Sequence, residues 1–278
     1  MEITITAQEL AQEKLSHEHL AQAVNAVRMD GYVILSDVID HEHVDVLRER
    51  MDADSQEKIA VQKWGGAGQV VGHLQQGPPP FAPYIFRDIV ANPFAIQVTH
   101  AILGDGLYNR FYNGNTNCPG SGTQPLHTDG PHLWPDMQIA HPAATLVVNV
   151  ALMDVSEEDG ATELWPGTHL IPSNERRISP ESEAKRREIA PPVYAITRKG
   201  SLLIRDVRLW HRGVPNRSDK VRHMIAMIHN RSWLQRPGSL LFNTGCEDAF
   251  PESPLDHNVE FTDKPLDYLF HRFATIRD

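Results

Sequence analysis

Apolar positions recur at near-helical spacing from Ala7 to Met29. Leu10, Leu20, Val24 and Val27 sit there among Ala, Gln and Glu, and Asp30-Gly31 closes the run. The chain is therefore predicted to start with helix. Tyr32 to Leu35 is a short β-rich run, and Asp40 is placed to cap a second helix through Met51 with an apolar stripe of Val44, Leu47 and Met51. Such a helix covers a sheet. From Trp64 to Pro83 glycine and proline crowd together, which predicts a long loop, and a loop of that length in a compact domain suggests a lid. Asn92 to Leu103 reads as a short helix. Beyond Gly106 the period shortens, and strands are predicted at Tyr108 to Phe111, Leu146 to Leu152, Val193 to Thr197, Ser201 to Ile204 and Arg222 to Ile228. Turn signals such as Glu158-Asp159-Gly160 and Lys199-Gly200 separate them, as in a sandwich or barrel. The charged cluster Glu181 to Glu188 reads as a solvated helix or loop.

Composition narrows the partners. The chain has 278 residues, 41% hydrophobic and 22% charged, enough for a sizeable core in two domains or equally in one large domain with additions. A net charge of −10 repels phosphate backbones and anionic lipid, so no nucleic acid and no membrane partner is expected and a small-molecule substrate is favoured. Two cysteines, Cys118 and Cys246, make no disulfide framework and no thiolate zinc motif, which fits a reducing compartment. The start, MEITITAQELAQEKL, lacks the apolar core of a secretory signal, and Ala143 to Met153 is too short for a spanning helix of about 20 residues. A cytoplasmic protein is expected.

The chain has 15 histidines, and in a sequence this acidic roughly two H-x-[DE] matches arise by chance. Two occur, so geometry must choose between them. His43 and Asp45 fall in a predicted helix, where residues two apart diverge. His127 and Asp129 follow Gly120, Gly122 and Pro125 in predicted extended chain, where residues two apart share a face and can grip one ion. On its own, an ordinary hydrogen-bonded histidine beside a turn aspartate is the simpler reading. His211 changes the balance: it stands near a predicted strand end before a Gly213/Pro215/Asn216 turn. Arg222 then alternates with Met224, Ala226 and Ile228 on what should be an inward face, and a buried guanidinium needs an anion. Two histidines and a carboxylate leave three open positions on an octahedral ion, room for an α-keto acid and oxygen, as in non-haem iron oxygenases. The same donor set also suits catalytic zinc.

Three ordered blocks resemble the phytanoyl-CoA dioxygenase-like family of Fe(II)- and 2-oxoglutarate-dependent oxygenases. They are Gln124-Pro-Leu-His127-Thr-Asp129, then Asp159-Gly160-Ala161-Thr162 running into Trp165-Pro166-Gly167-Thr168-His169, then His211-x-Gly213-x-x-Asn216-x-Ser218-x-x-x-Arg222. The resemblance extends from about Tyr32 to His229. It implies a mainly β fold with flanking α-helices, a double-stranded β-helix (a cupin-like jelly roll), in a single domain over residues 1–278 with an N-terminal helical region of about 1–60 packed on it. It further implies that His127, Asp129 and His211 are the catalytic iron ligands, and that Arg222, Gln124 and Thr162 contact 2-oxoglutarate. His169 would shape a turn, and Trp210 would pack against the site wall.

The implied reaction couples oxidative decarboxylation of 2-oxoglutarate by O2 to oxidation of a small metabolite, in biosynthesis of the secondary kind. A carboxylate at Asp129, where related halogenases carry a small residue, favours hydroxylation, with desaturation, epoxidation or rearrangement as other outcomes. Residues flanking the ligand blocks, Phe111, Asn113, His132, Trp134, Met137 and Trp233, are candidates for the substrate wall. The absence of a clear Lys/Arg cluster speaks against a coenzyme A thioester and for a free metabolite. The rival readings are a zinc- or manganese-dependent hydrolase or isomerase on the same barrel, and a jelly-roll binding protein without catalysis. The N-terminal helices offer a surface for homodimer contacts.

Overall fold

Period-two alternation along three adjacent strands organises the molecule. The computed structural model describes every residue except 67, 68, 135, 174, 235–237 and 278. The chain opens with β1 (Glu2–Thr4), α1 (Ala7–Gln12), α2 (His17–Asp30), β2 (Tyr32–Ser36) and α3 (His41–Ala60). A short strand β3 (His73–Gln75) and helices α4 (Arg87–Val90) and α5 (Pro93–Leu103) follow. Then come β4 (Tyr108–Asn117), β5 (Thr145–Ala151), β6 (Glu163–Leu164), α6 (Pro180–Ile189) and β7 (Val193–Tyr194). The barrel closes with β8 (Leu202–Asp206), β9 (His211–Arg212) and β10 (Arg222–Asn230).

Seven strands form one sheet in the order β1-β2-β8-β5-β10-β4-β3, and a second, three-stranded sheet has the order β7-β6-β9. On the large sheet, Leu146, Val148 and Val150 of β5, Leu202 and Ile204 of β8, and Ile225 and Met227 of β10 join one apolar core with the helices. Val44, Leu47 and Met51 of α3 and Val98 and Ile102 of α5 cover that face. Each such side chain contributes about 1.5–3 kcal/mol by leaving water. The residues between them, Val147 and Asn149, Arg205, and Arg222, Met224 and Ala226, point the other way and line a cavity. Mainly β architecture with flanking helices, in two sheets around a cavity, is the expected jelly roll.

Several sequence expectations need correction. The run from Ala7 to Met29 is two helices, because Glu13 takes a left-handed conformation and Ser16 caps α2 through the His19 amide at 3.1 Å. The helix expected to end at Met51 continues to Ala60. Its stripe goes on through Asp54, Ser55 and Lys58, polar residues that are buried because each has a partner. Asp54 accepts from the Tyr268 hydroxyl (2.7 Å), Ser55 Oγ donates to the Asp52 carbonyl, and Lys58 Nζ donates to the Leu269 carbonyl. Trp64 to Pro83 is not loop throughout: His73 and Leu74 are fully buried in β3, which pairs antiparallel with β4 at the sheet edge. Of Val193 to Thr197 only the first two residues are strand. Thr197 is held by an isolated bridge to Val155.

Candidate active site

His127 and His211 face each other across one antiparallel bridge between the segment leading to Asp129 and β9. Their backbones exchange two hydrogen bonds, His127 N–H to the His211 carbonyl (3.1 Å) and His211 N–H to the His127 carbonyl (3.0 Å), and their rings lie 4.3 Å apart. Asp129 is fixed by its own amide, which donates to the Val207 carbonyl at 3.0 Å. One nitrogen from each ring and one oxygen from Asp129 lie within 4.8 Å of one another, a group able to hold a metal ion.

The second nitrogen of each ring decides the tautomer. His127 Nδ1 lies 2.9 Å from the Pro125 carbonyl and His211 Nδ1 2.9 Å from the Leu209 carbonyl. A carbonyl can only accept, so both Nδ1 atoms carry the hydrogen and both Nε2 lone pairs point into the cluster. Those Nε2 atoms stand 3.6 and 3.5 Å from the Asp129 oxygens. Three electron-pair donors thus converge, the situation that a cation between them resolves. Protonation states agree. Burial, then Arg205, keep His211 well below its usual range and hence neutral. Burial works against ionising Asp129, but Arg205, His211 and His127 outweigh it and hold the carboxyl far below the usual carboxylate range. Asp129 remains 36% exposed because it faces the cavity, whereas its partner Arg205, at 2.5 Å, is buried.

Arg205 was not legible as a site residue in the sequence. It reads there as one charge in a β-rich run, and alternation with Leu202 and Ile204 is the signal that puts it on the cavity face.

A cavity of about 380 Å³ runs from this cluster past Gln124, Thr162 and Arg222, with Met224, Ala226 and Ile228 on the same wall. Arg222 is buried; one terminal nitrogen donates to the Gly160 carbonyl at 3.2 Å, while its Nε and other terminal nitrogen find no acceptor among the described residues. Burial lowers its pKa to about 10, so it stays a cation at neutral pH. Gln124 Oε1 accepts from the Gly213 amide at 2.9 Å and its Nε2 is likewise buried without an acceptor. Only glycine fits at 213, since a Cβ there would stand 2.6 Å from the His73 ring and 2.8 Å from Gln124 Oε1. Buried donors left unmatched are costly, and three in one cavity call for an anionic acceptor.

A second cavity, of about 570 Å³, adjoins the first. It shares Arg110, Phe111, Asp129, Arg176, Val207, Ile228 and Arg272 with it, and is the larger although only Asp129 of the three clustered groups reaches it. Phe111 stands on both walls. Asn113, His132, Trp134, Met137 and Trp233 line neither. The Asn113 amide is used up by Gln75 and the Arg272 carbonyl. His132 packs edge-on against His141. Trp134 and Trp233 are exposed, their rings 6.1 Å apart, beside the wall residues Leu133 and Leu234. His43 and Asp45 are held apart in ion pairs with Asp88 and Lys199. His169 is buried against the Arg28 carbonyl, and Trp210 packs with Trp165, Leu126 and Ile178 behind the ligand strand.

Residues 27–224 match the family described as Phytanoyl-CoA dioxygenase (PhyH). The chain belongs to that family. Among curated relatives it is similar to dioxygenase trt7 of Aspergillus terreus, 25% identical over 74% of this chain and 71% of the relative. It is similar also to dioxygenase aneA of Aspergillus aculeatus, 24% identical over 76% and 72%. With dioxygenase andF of Emericella variicolor the identity is 26% over 50% of this chain, and the chain spans about half of that relative's length (47%). Among solved structures, the non-haem α-ketoglutarate-dependent carbocyclase SnoK from nogalamycin biosynthesis superposes with a TM-score of 0.58 at 23% identity, covering 80% of this chain and 89% of that one. AviO1 from Streptomyces viridochromogenes gives 0.56 at 20%, covering 81% and 100%. These two share the fold. Family membership, the dioxygenase relatives and the His-Asp-His group together support an Fe(II)/2-oxoglutarate-dependent dioxygenase.

Proposed function

We propose that this phytanoyl-CoA dioxygenase family member oxidises a small-molecule metabolite, most simply by hydroxylation, with His127, Asp129 and His211 holding Fe(II) and with Arg222, Gln124 and Thr162 holding 2-oxoglutarate. The observation that carries the reading is the pairing of two features in one cavity: three converging electron-pair donors and, beside them, buried cationic and amide donors without acceptors. A hydrolytic zinc site has no use for the second feature. When bound, iron and 2-oxoglutarate supply the oxidising power, with O2 consumed, 2-oxoglutarate cleaved to succinate and carbon dioxide, and one oxygen atom available to the substrate.

The chain's own residues do the positioning. Pro125 and Leu209 carbonyls fix both imidazoles with Nε2 inward. Arg205 keeps Asp129 ionised and occupies one of its oxygens. Arg222 offers a forked pair of N–H groups to a distal carboxylate, and Gln124 adds a neutral donor. Val147, Val207, Ala226 and Ile228 supply the apolar part of the inner wall.

The whole chain is read as one catalytic domain, because the core that covers the large sheet takes residues from Ile3 to Met51 along with the strands. Two free, buried cysteines suit a reducing cytoplasm. Self-association through the N-terminal helices is tested by light scattering on the purified protein. The function itself is tested by supplying Fe(II) and 2-oxoglutarate and measuring oxygen uptake and succinate. Stoichiometric production of succinate is expected, and metal-dependent turnover without oxygen uptake would replace this reading with the hydrolase.

A further inference from the structure

Charge around the two cavities runs opposite to charge on the chain. The protein carries 36 acidic against 26 basic residues, yet the inner cavity is lined by Arg110, Arg176, Arg205, Arg222 and Arg272, and Asp129 is the one acid among the described lining residues of either cavity. Three of these arginines already have an occupation: Arg205 holds Asp129, Arg222 faces the proposed co-substrate pocket, and Arg110 is engaged within the protein. Arg110, Arg176 and Arg272 stand together on the wall shared by the two cavities. Arg176 donates to the Asp129 backbone carbonyl (2.8 Å), and no carboxylate lies within 4.0 Å of it or of Arg272 among the described residues. Arg272 lies over the faces of Phe111 and Phe273, at 5.5 and 5.8 Å, and those stacking contacts keep its guanidinium at the wall. The outer cavity has an apolar wall of Leu133, Leu234, Leu240 and Phe273, with His141, Arg208 and Asn230 also on its lining.

We propose that the substrate is an amphiphile: an apolar body seated in the outer cavity, with a carboxylate or phosphate group held by Arg176 and Arg272 at the passage to the metal group. The inference rests on the oxygenase reading and narrows its substrate class. Guanidinium groups on a concave, partly apolar wall raise the local concentration of anions and bind forked oxyanions in two-point fashion. The two arginines come from the segment before α6 and from the C-terminal segment, so they form no cluster in the sequence. A free anionic amphiphile is compatible with the expectation of a free metabolite rather than a coenzyme A thioester.

The test compares three probes of one shape, 2-naphthoate, 2-naphthyl phosphate and neutral 2-naphthamide, binding to protein saturated with Fe(II) and 2-oxoglutarate under argon. An anionic probe is expected to bind about tenfold more tightly than the amide, and which anion binds better distinguishes carboxylate from phosphate. In the double variant Arg176→Gln/Arg272→Gln, both residues being exposed, the preference is expected to fall to within about twofold while 2-oxoglutarate affinity holds. Equal binding of anions and amide, failure of both anions to bind, or a preference that survives in the double variant overturns the proposal. So does a double variant that loses 2-oxoglutarate affinity, since the arginines would then serve the co-substrate. Wild-type affinity for 2-oxoglutarate is measured in parallel. Its absence, with the anion preference intact, would sink the oxygenase reading and leave the anion site standing.

Discussion

The two faces of the large sheet, built from the same strands, obey different rules. On the helix side, Leu146, Val148, Val150, Ile204, Ile225 and Met227 form a dry core, and the polar atoms there without a partner among the described residues, Tyr112 Oη and His229 Nε2, belong to side chains that are uncharged at neutral pH. There the ring of His223 lies between Thr116 Oγ1 and Asp52 at 2.8 Å each, and His229 Nδ1 is 3.0 Å from Thr99 Oγ1. On the cavity side, one residue along, Asn149, Arg205 and Arg222 interrupt the apolar pattern, and donors on Arg205 and Arg222 remain unmatched. Among the described residues the first face leaves only uncharged polar atoms unmatched, whereas the second leaves donors of buried cations unmatched. The second holds polarity in reserve for something that binds, and a local departure from the rule of satisfied buried groups is where function concentrates.

Substitutions on the two faces should therefore separate binding from stability. The largest effect is expected from His127→Ala or His211→Ala, each of which removes one of three converging donors. Fe(II) binding, followed by titration under argon, should be lost while the melting temperature changes little. Next, Leu146→Ala on the helix side opens a cavity in the dry core and should cost about 2–5 kcal/mol in denaturant unfolding without changing 2-oxoglutarate affinity. Arg222→Leu, on the cavity side, should weaken 2-oxoglutarate about 10–100-fold, the equivalent of charged hydrogen bonds worth about 1.5–3 kcal/mol, and leave Fe(II) affinity intact. Equal loss of both would assign Arg222 to the fold. Gln124→Leu removes one neutral donor and should weaken 2-oxoglutarate only several-fold, about 1 kcal/mol.

The smallest effect at neutral pH belongs to His229 on the helix side. Burial first, and then His257, push its pKa down to about 3, against about 6.5 in an unfolded chain. The unfolded state takes up the proton first as pH falls. The stability it contributes is thus complete above about pH 6.5 and declines steadily toward pH 3. His229→Gln should flatten that acid limb and leave pH 7 unfolding nearly unchanged, as measured by denaturant midpoints across the range.

How much the sequence disclosed follows the same division. Strands whose alternation is strong, such as β5 and β10, are legible, and so is the inward direction of Arg222, because three apolar neighbours at spacing two report a face. The His127/Asp129 pair is legible because extended chain places i and i+2 together, and His211 because of the strand end and turn around it. Arg205 is not, since its meaning depends on Asp129 arriving from the distant segment between β4 and β5. The helix beyond Met51 is not, since the partners that bury Asp54 and Lys58 come from Tyr268 and Leu269 at the far end of the chain. Of the residues chosen by proximity to the ligand blocks, Phe111 stands on both cavity walls and the other five on neither. Neighbours in sequence on a loop, such as His132 and Leu133, face different ways, while Arg110, Arg176 and Arg272 meet only in three dimensions.

The central claim is that one cavity joins a metal group to a separate anion-accepting group. Titration of 2-oxoglutarate into the anaerobic protein, with and without Fe(II), addresses both at once. Binding of one equivalent that tightens with Fe(II), loses that tightening in His211→Ala, and weakens in Arg222→Leu even when Fe(II) is present is the expected result. Affinity indifferent to Fe(II), or unchanged in Arg222→Leu, would contradict the account.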